Sequence, residues 1–364
     1  MSSLRSDITP REVVQRLTIV IEWVGGAMKR IEEIYWLRFY GCLAVFCFHF
    51  LDRLNQRYDN LYIDLARIPT VLGTPVFIFI SIFLFSARYG SHIPKGFLAN
   101  RIKYVMVPYV VYGLIYSTTN YLSVTADGGE LGFFDNFVEY MVYAGWHGYF
   151  LIIAMQFYVF YWVYTRYDLG RYLPAAPWLV LGSLISAGYW GVTRWFEVSP
   201  PGYLHWIVPV GWVYLFFLAL VMVRHYPNLA RVSALRRLAN PWWLAAWVAV
   251  IVALTFAGQL EYSSKESWVI PFFILFTLWL MRYLKDRPAP PLVKKVNEYS
   301  FGIYLAHPLF FAMVDFVDSY VHFSLPLYAA LLLVVGMAGS TWLNALVNRL
   351  SWGGMMFGKR LAIR

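Results

Sequence analysis

Arg38 and His49 stand eleven residues apart in one apolar run, Trp36–Phe50. Eleven residues at about 100° each make three turns plus roughly 20°, so on a helix both side chains share a face. At about 1.5 Å per residue they lie roughly 16 Å apart along the axis, about half a hydrocarbon core. Taken singly, the arginine reads as a snorkelling cation at a span mouth and the histidine as an interfacial residue. Taken together they read as chemistry. A guanidinium grips phosphate oxygens with a planar fork. An imidazole, with an ordinary pKa of about 6.5, takes a proton from an attacking hydroxyl. Ionisable groups at membrane depth are costly and mark functional sites by default.

Three more constellations bear on the same chemistry. Arg88, Lys95, Arg101 and Lys103 form a basic segment before Pro108 and Tyr109, suited to a phosphorylated molecule arriving at a span mouth. His147 opens the stretch Trp146-His147-Gly148-Tyr149-Phe150-Leu151, with Gln156 seven residues after Tyr149 and on its face. Interhelical hydrogen bonding and an aromatic belt account for Gln156 and the aromatics without chemistry. His307 lies in Ser300-Phe301-Gly302-Ile303-Tyr304-Leu305-Ala306-His307-Pro308, with Ser300 seven residues earlier on the same face. Counted along its apolar run, His307 falls near midplane, while His49 falls near the outer end of its own.

The elements that must hold these residues are membrane helices. Hydrophobic residues make up 60% of the 364-residue chain and charged residues 14%, where a soluble domain carries roughly a quarter charged. Apolar runs fall at about 35–51, 68–85, 104–122, 149–164, 177–195, 204–223, 242–257, 268–283, 299–317 and 325–347. They predict an all-α, polytopic integral membrane protein with about ten transmembrane helices. Of 30 Lys and Arg, 22 collect in alternate loops and at the ends. The intervening loops hold only Arg53, Arg57, Arg67, Arg194 and Lys265, with Asp127, Glu130 and Asp135 among their acids. That alternation predicts cytoplasmic termini, Arg38 at the cytoplasmic end of the first span, and external loops at 52–67 and 123–148. The net charge of +10 is explained by these loops and implies no nucleic-acid partner. Cys42 and Cys47 share one span and cannot pair, so no disulfide framework is expected. No Cys/His cluster has metal-ligand spacing, and no phosphate-binding glycine loop is present. Residues 1–27 read as an N-terminal extension, either a surface helix or untranslated if Met28 is the initiator. Residues 28–364 read as the membrane domain.

The order and spacing of Trp36-Leu37-Arg38…His49, Gly73-Thr74-Pro75-Val76-Phe77-Ile78-Phe79-Ile80-Ser81, Arg101…Pro108-Tyr109, His147-Gly148-Tyr149-Phe150-Leu151 and Ser300…His307-Pro308 resemble membrane acyltransferase family three. These are bacterial proteins that O-acylate surface carbohydrates. The opening Ile31-Glu32-Glu33-Ile34-Tyr35-Trp36-Leu37-Arg38 is most like Gram-positive members, among them relatives of the intercellular-adhesin polysaccharide modification protein. One departure is Ser81-Ile82, where many members have Ser-Gly. The resemblance implies an acyl-CoA donor substrate, no bound cofactor, and Arg38 and His49 as the essential pair.

On that footing, His49 is expected to be the catalytic base. Arg38, Arg101 and Lys103 would hold acyl-CoA, and His147, Tyr149, Gln156, Ser300, Tyr304 and His307 would support the acceptor or the site. The reaction would move an acyl group, acetyl or succinyl, from cytosolic acyl-CoA to a hydroxyl of an extracytoplasmic carbohydrate. The expected partners are that carbohydrate, the bilayer and the polysaccharide synthesis machinery. The rival reading is an exporter of a polysaccharide or its precursor. A nonenzymatic scaffold in a synthase complex is a third.

Overall fold

A computed structural model describes residues 31–90, 92–196, 203–226 and 232–357. The predicted N-terminal extension, with Met28, lies outside the described residues. Among the described residues the secondary structure is helical, with no strand. Each of the ten apolar runs falls on a helix: α1 (Glu32–Arg57), α2 (Gly73–Tyr89), α3 (Val107–Ala126), α4 (Tyr149–Arg166), α5 (Ala175–Trp195), α6 (Val213–His225), α7 (Pro241–Phe256), α8 (Val269–Tyr283), α9 (Pro291–Val321) and α10 (Leu325–Val347). Among the described residues, five helical stretches are long and apolar enough to cross a membrane: α1, Leu61–Tyr89 (which ends in α2), α5, α9 and α10. Helices at 209–225, 241–256 and 269–283 are apolar but shorter. The chain is a multi-pass membrane protein. In α3 and α4, tyrosines together with Ser117, Asn120 and Gln156 dilute the apolar character, and several of these polar groups turn towards the site.

Helix α1 is the axis of the molecule, packed against α2, α8, α9 and α10. Glycines let α1 and α2 cross closely. A Cβ on Gly41 would stand 2.5 Å from Val76 Cγ1, and one on Gly73 would stand 2.9 Å from the Val45 backbone nitrogen. Both ends of α1 are pinned by polar contacts. At its N-terminal end Glu33 is buried and accepts hydrogen bonds from the Tyr226 hydroxyl (2.7 Å) and the Asp286 backbone N–H (2.9 Å). Glu32 accepts from Ala289 N–H at 2.9 Å and pairs with Lys294. Near its C-terminal end Arg53 pairs with Asp315 of α9 at 2.8 Å, and Arg57 pairs with Asp318. Partly buried charges need such partners to offset the loss of water.

The segment 123–148 is more ordered than its length suggests. Phe133–Met141 forms a helix that lies back on α3. Asn136 ties it down, donating to the Ser117 carbonyl (2.7 Å) and hydroxyl (2.9 Å) while accepting from Asn120. The Tyr109 hydroxyl then bonds the carbonyls at its end, Tyr140 and Met141. This anchorage fixes the approach of Trp146 and His147 to the bundle.

Candidate active site

Three imidazoles meet inside the bundle. Ring centroids of His49 and His307 are 5.2 Å apart, those of His49 and His147 5.8 Å, and those of His147 and His307 5.8 Å. The sequence places His307 near midplane and His49 near an outer end, so the meeting corrects that difference in depth. The reason lies in the helix bounds. Helix α1 continues to Arg57, six residues past its apolar run, and α9 begins at Pro291, eight residues before its own. Both histidines therefore sit well inside their helices.

Pro308 explains much of the local geometry. Proline has no N–H, so the carbonyl four residues earlier, Tyr304, loses its helical partner. The carbonyls around this break are used by side chains. Ile303 O lies 2.8 Å from His307 Nδ1. Leu305 O accepts from the Tyr116 hydroxyl at 2.7 Å. The carbonyls of Tyr304 and Leu305 also act on the His147 ring. In return the Tyr304 hydroxyl donates to the His147 carbonyl. A carbonyl can only accept, so His307 Nδ1 carries the proton and Nε2 presents a lone pair. His307 is wholly buried, and its Nε2, like that of His147, has no hydrogen-bond partner among the described residues.

His49 opens onto a cavity of about 800 Å³, as do His147, Tyr149 and Tyr304. Its walls also carry Thr74, Trp190, Arg194, Tyr203, Trp206, Ser264, Lys265 and Glu266. The Tyr149 hydroxyl bonds Thr74 Oγ1 (3.3 Å) and Ser264 Oγ (3.2 Å). Three hydroxyls sharing two hydrogen bonds leave an O–H free to turn into the cavity. Arg194 pairs with Glu266 at 2.7 Å. Burial pushes the Glu266 carboxyl upward in pKa, and the Arg194 guanidinium opposes that shift. Asp52, three residues beyond His49, also lines the cavity but is engaged by Arg67 at 3.2 Å. No carboxylate among the described residues bonds the His49 ring.

The arginines gather at a different level. Arg38 and Arg101 both act electrostatically on Tyr158 of α4. Nine residues separate Tyr158 from Tyr149, about 13 Å along the helix. The Arg101 guanidinium lies 4.6 Å from the Phe85 ring centroid, and its Nε is buried without a partner. A π-helical turn, Ile102–Met106, follows it directly, a distortion common at functional sites. Lys103 is exposed, 5.6 Å from the Tyr104 ring.

The remaining sequence candidates separate from the cluster. Gln156 lines a smaller apolar groove with Met106, Ile152, Met155 and Val159, and its Oε1 has no partner. It shares a face with Tyr149 but lies too deep along α4 to reach the same cavity. Ser300 is buried at the α1–α9 contact, where its hydroxyl bonds the Asn297 carbonyl and its own carbonyl accepts from Cys42 Sγ. Sequence reasoning missed Thr74, Tyr116, Ser264, Lys265 and Trp206. Thr74 had a signal, since it lies in the recognised Gly73-Thr74-Pro75 motif. The others become visible only when distant segments are brought together.

The family model of the acyltransferase domain, family three, matches residues 31–345. The "Putative membrane-bound acyltransferase YfiQ" of Bacillus subtilis is 25% identical over 351 residues, covering 91% of this chain and 95% of that protein. The "Probable poly-beta-1,6-N-acetyl-D-glucosamine export protein" of Staphylococcus aureus strain MRSA252 is 23% identical over 305 residues, 78% of this chain and 83% of that protein. Its namesake in Staphylococcus epidermidis is 24% identical over 312 residues, 77% of this chain and 81% of that protein. No solved structure matches.

Proposed function

The chain belongs to acyltransferase family three, a family of acyl-group transferases, and from that premise we propose that it carries an acetyl or succinyl group from cytosolic acyl-CoA to a hydroxyl of a carbohydrate outside the membrane. The observation that supports this most is the disposition of α1. It bears a guanidinium at one level and, about 16 Å further along, an imidazole that opens onto a cavity large enough for a saccharide.

In this reading Arg38 and Arg101 hold the phosphates of the donor, with Lys103 adding charge at the mouth. The pantetheine arm runs along α1 and brings the thioester to His49. The acceptor hydroxyl attacks the thioester carbonyl, the C–O bond forms and the C–S bond breaks. His49 takes the hydroxyl proton and returns it to the departing CoA sulfur. The oxyanion takes a hydrogen bond from the hydroxyl chain of Tyr149, Thr74 and Ser264. His307 and His147 pack around the His49 ring, and Tyr304 holds His147 in place.

Export, the role named for the staphylococcal relatives, is the second reading, and a saccharide cavity serves it equally. Thiol release separates the two. Purified protein in lipid vesicles, given acetyl-CoA and surface polysaccharide from cells lacking it, should release free CoA in proportion to ester formed on the glycan. Movement of the glycan with no thiol released would replace acyl transfer with export.

A further inference from the structure

Lys265 is the cation of the cavity that forms no ion pair among the described residues; its charge acts on the neighbouring Glu266, whose carboxylate is held by Arg194. The other four basic residues of the loops assigned outside are all ion-paired: Arg53 with Asp315, Arg57 with Asp318, Arg67 with Asp52 and Asp64, and Arg194 with Glu266. Arg194 is further committed through Nη2 to the Gln259 carbonyl at 3.1 Å. Lys265 has no carboxylate within ion-pair distance among the described residues. Its ammonium lies 3.8 Å from the Trp206 ring centroid and 5.1 Å from that of Tyr149. Aromatic faces hold a cation in place without neutralising it. The ammonium keeps N–H donors for a further partner, and it lines the same cavity as His49.

The loop that presents Lys265 is fixed on several sides. Its own backbone N–H donates to Ser263 Oγ, Ser264 bonds Tyr149, Glu266 is held by Arg194, and Ser267 donates to the Ala187 carbonyl at 2.8 Å. The aromatic side is fixed as well. The Trp206 carbonyl accepts from Trp212 Nε1 at 2.8 Å, and the Tyr203 ring packs 4.0 Å from that of Trp206. A flexible lysine on a free loop would be a solvated charge, whereas this one is pre-positioned over an aromatic shelf. Glu261, the remaining unpaired acid of the cavity wall, is exposed.

We propose that Lys265 and the Tyr203–Trp206–Tyr149 shelf form an acceptor subsite for an anionic saccharide, the ammonium pairing with a carboxylate or phosphate on the sugar while the shelf takes its apolar face. This rests on the carbohydrate-acceptor reading above and narrows it to an acidic glycan. Charge-assisted hydrogen bonds of this kind are about twice as strong as neutral ones.

The test is binding without donor. The full chain in lipid nanodiscs is titrated by calorimetry with three probes: a neutral trisaccharide, its carboxylate-bearing counterpart and its phosphate-bearing counterpart. At least one acidic probe should bind about tenfold more tightly than the neutral one. That preference should disappear in Lys265→Met, which keeps the chain length, and survive in Lys265→Arg. Whichever acidic probe binds identifies the anion. Equal affinity for all three probes would overturn the proposal, as would equal weakening of all three in Lys265→Met. Loss of CoA binding in Lys265→Met, with saccharide binding intact, would also overturn it and make the cavity the donor's entrance. Because no acyl-CoA is present in the saccharide titrations, their outcome is independent of whether the protein releases thiol.

Discussion

At the scale of single residues, the three histidines divide into two that meet the cavity, His49 and His147, and one that does not, His307. His49 lines the open space, whereas His307 is sealed off with its Nδ1 proton committed to a carbonyl. His49→Ala should therefore lower turnover by about two to four orders of magnitude, the usual loss on removing a general base. Turnover measured on variant protein that inserts and purifies normally checks this, and retention of a tenth or more of wild-type rate would exclude His49 as the base. On the proposed reading Arg38 belongs to the donor side. Arg38→Lys keeps the charge but loses the planar fork, so it should raise the KM for acyl-CoA and leave that for the glycan nearly unchanged. Arg38→Ala should cost about 1.5–3 kcal/mol on the same axis, the worth of a charged hydrogen bond. Bisubstrate steady-state kinetics reads both, and a glycan-side defect would place the donor elsewhere. The residue types of this site were legible in the sequence, because histidine and arginine in an apolar run stand out. Their convergence was not. Spacing along one helix reports a face and a depth within that helix, and says nothing of how far two helices are offset along their axes.

At the scale of elements, two features carry the site. One is the proline break in α9, which leaves the Tyr304 carbonyl without its helical partner, in a turn whose neighbouring carbonyls are bonded by Tyr116 and by His307 itself. The dipeptide His307-Pro308 marked the place, but Tyr116 comes from α3, so the sequence alone could not name it. The other is the glycine crossing of α1 and α2. The Val45 backbone stands one helical turn before His49, and a methyl group on Gly73 would press on backbone atoms that no rotamer change relieves. Gly73→Ala should destabilise the protein by about 1–3 kcal/mol, as overpacked sites do, and should lower kcat by displacing His49. Thermal unfolding in detergent and kinetics of the same preparation check this together. Unchanged melting and turnover would mean that α1 is not held by this crossing. The apolar runs located the helices well, because length and hydropathy report burial directly. They misjudged the ends of α1 and α9, where charged and polar residues continue a helix beyond its apolar part.

At the scale of the whole molecule, the alternation of loop charge predicts that the cavity faces outward and the arginines face the cytoplasm. In a variant lacking Cys42 and Cys47, an impermeant thiol reagent should label Ser123→Cys in intact cells and should not label Ser233→Cys. Both positions are exposed, so the contrast reads sidedness and not access. The reverse pattern would turn the whole site over. The all-helical, multi-pass character was legible in the sequence, since a membrane forces each span to declare itself in composition. The closed loop at 259–268 was not, because its importance lies in contacts to α4 and α5 that are remote in the chain.

The pinning of α1 at both ends has a further consequence. Glu32 and Glu33 anchor one end to the loop before α9, while Arg53 and Arg57 anchor the other to α9 itself. The helix between is a gauge bar of constant length. On the proposed reading, its two functional marks measure the carrier and not the cargo: a thioester must be long enough to rest its phosphates at Arg38 while its carbonyl reaches His49. Discrimination among carriers is thereby settled by length before any chemistry begins, and the size of the acyl group is judged separately, by the space beyond the far mark.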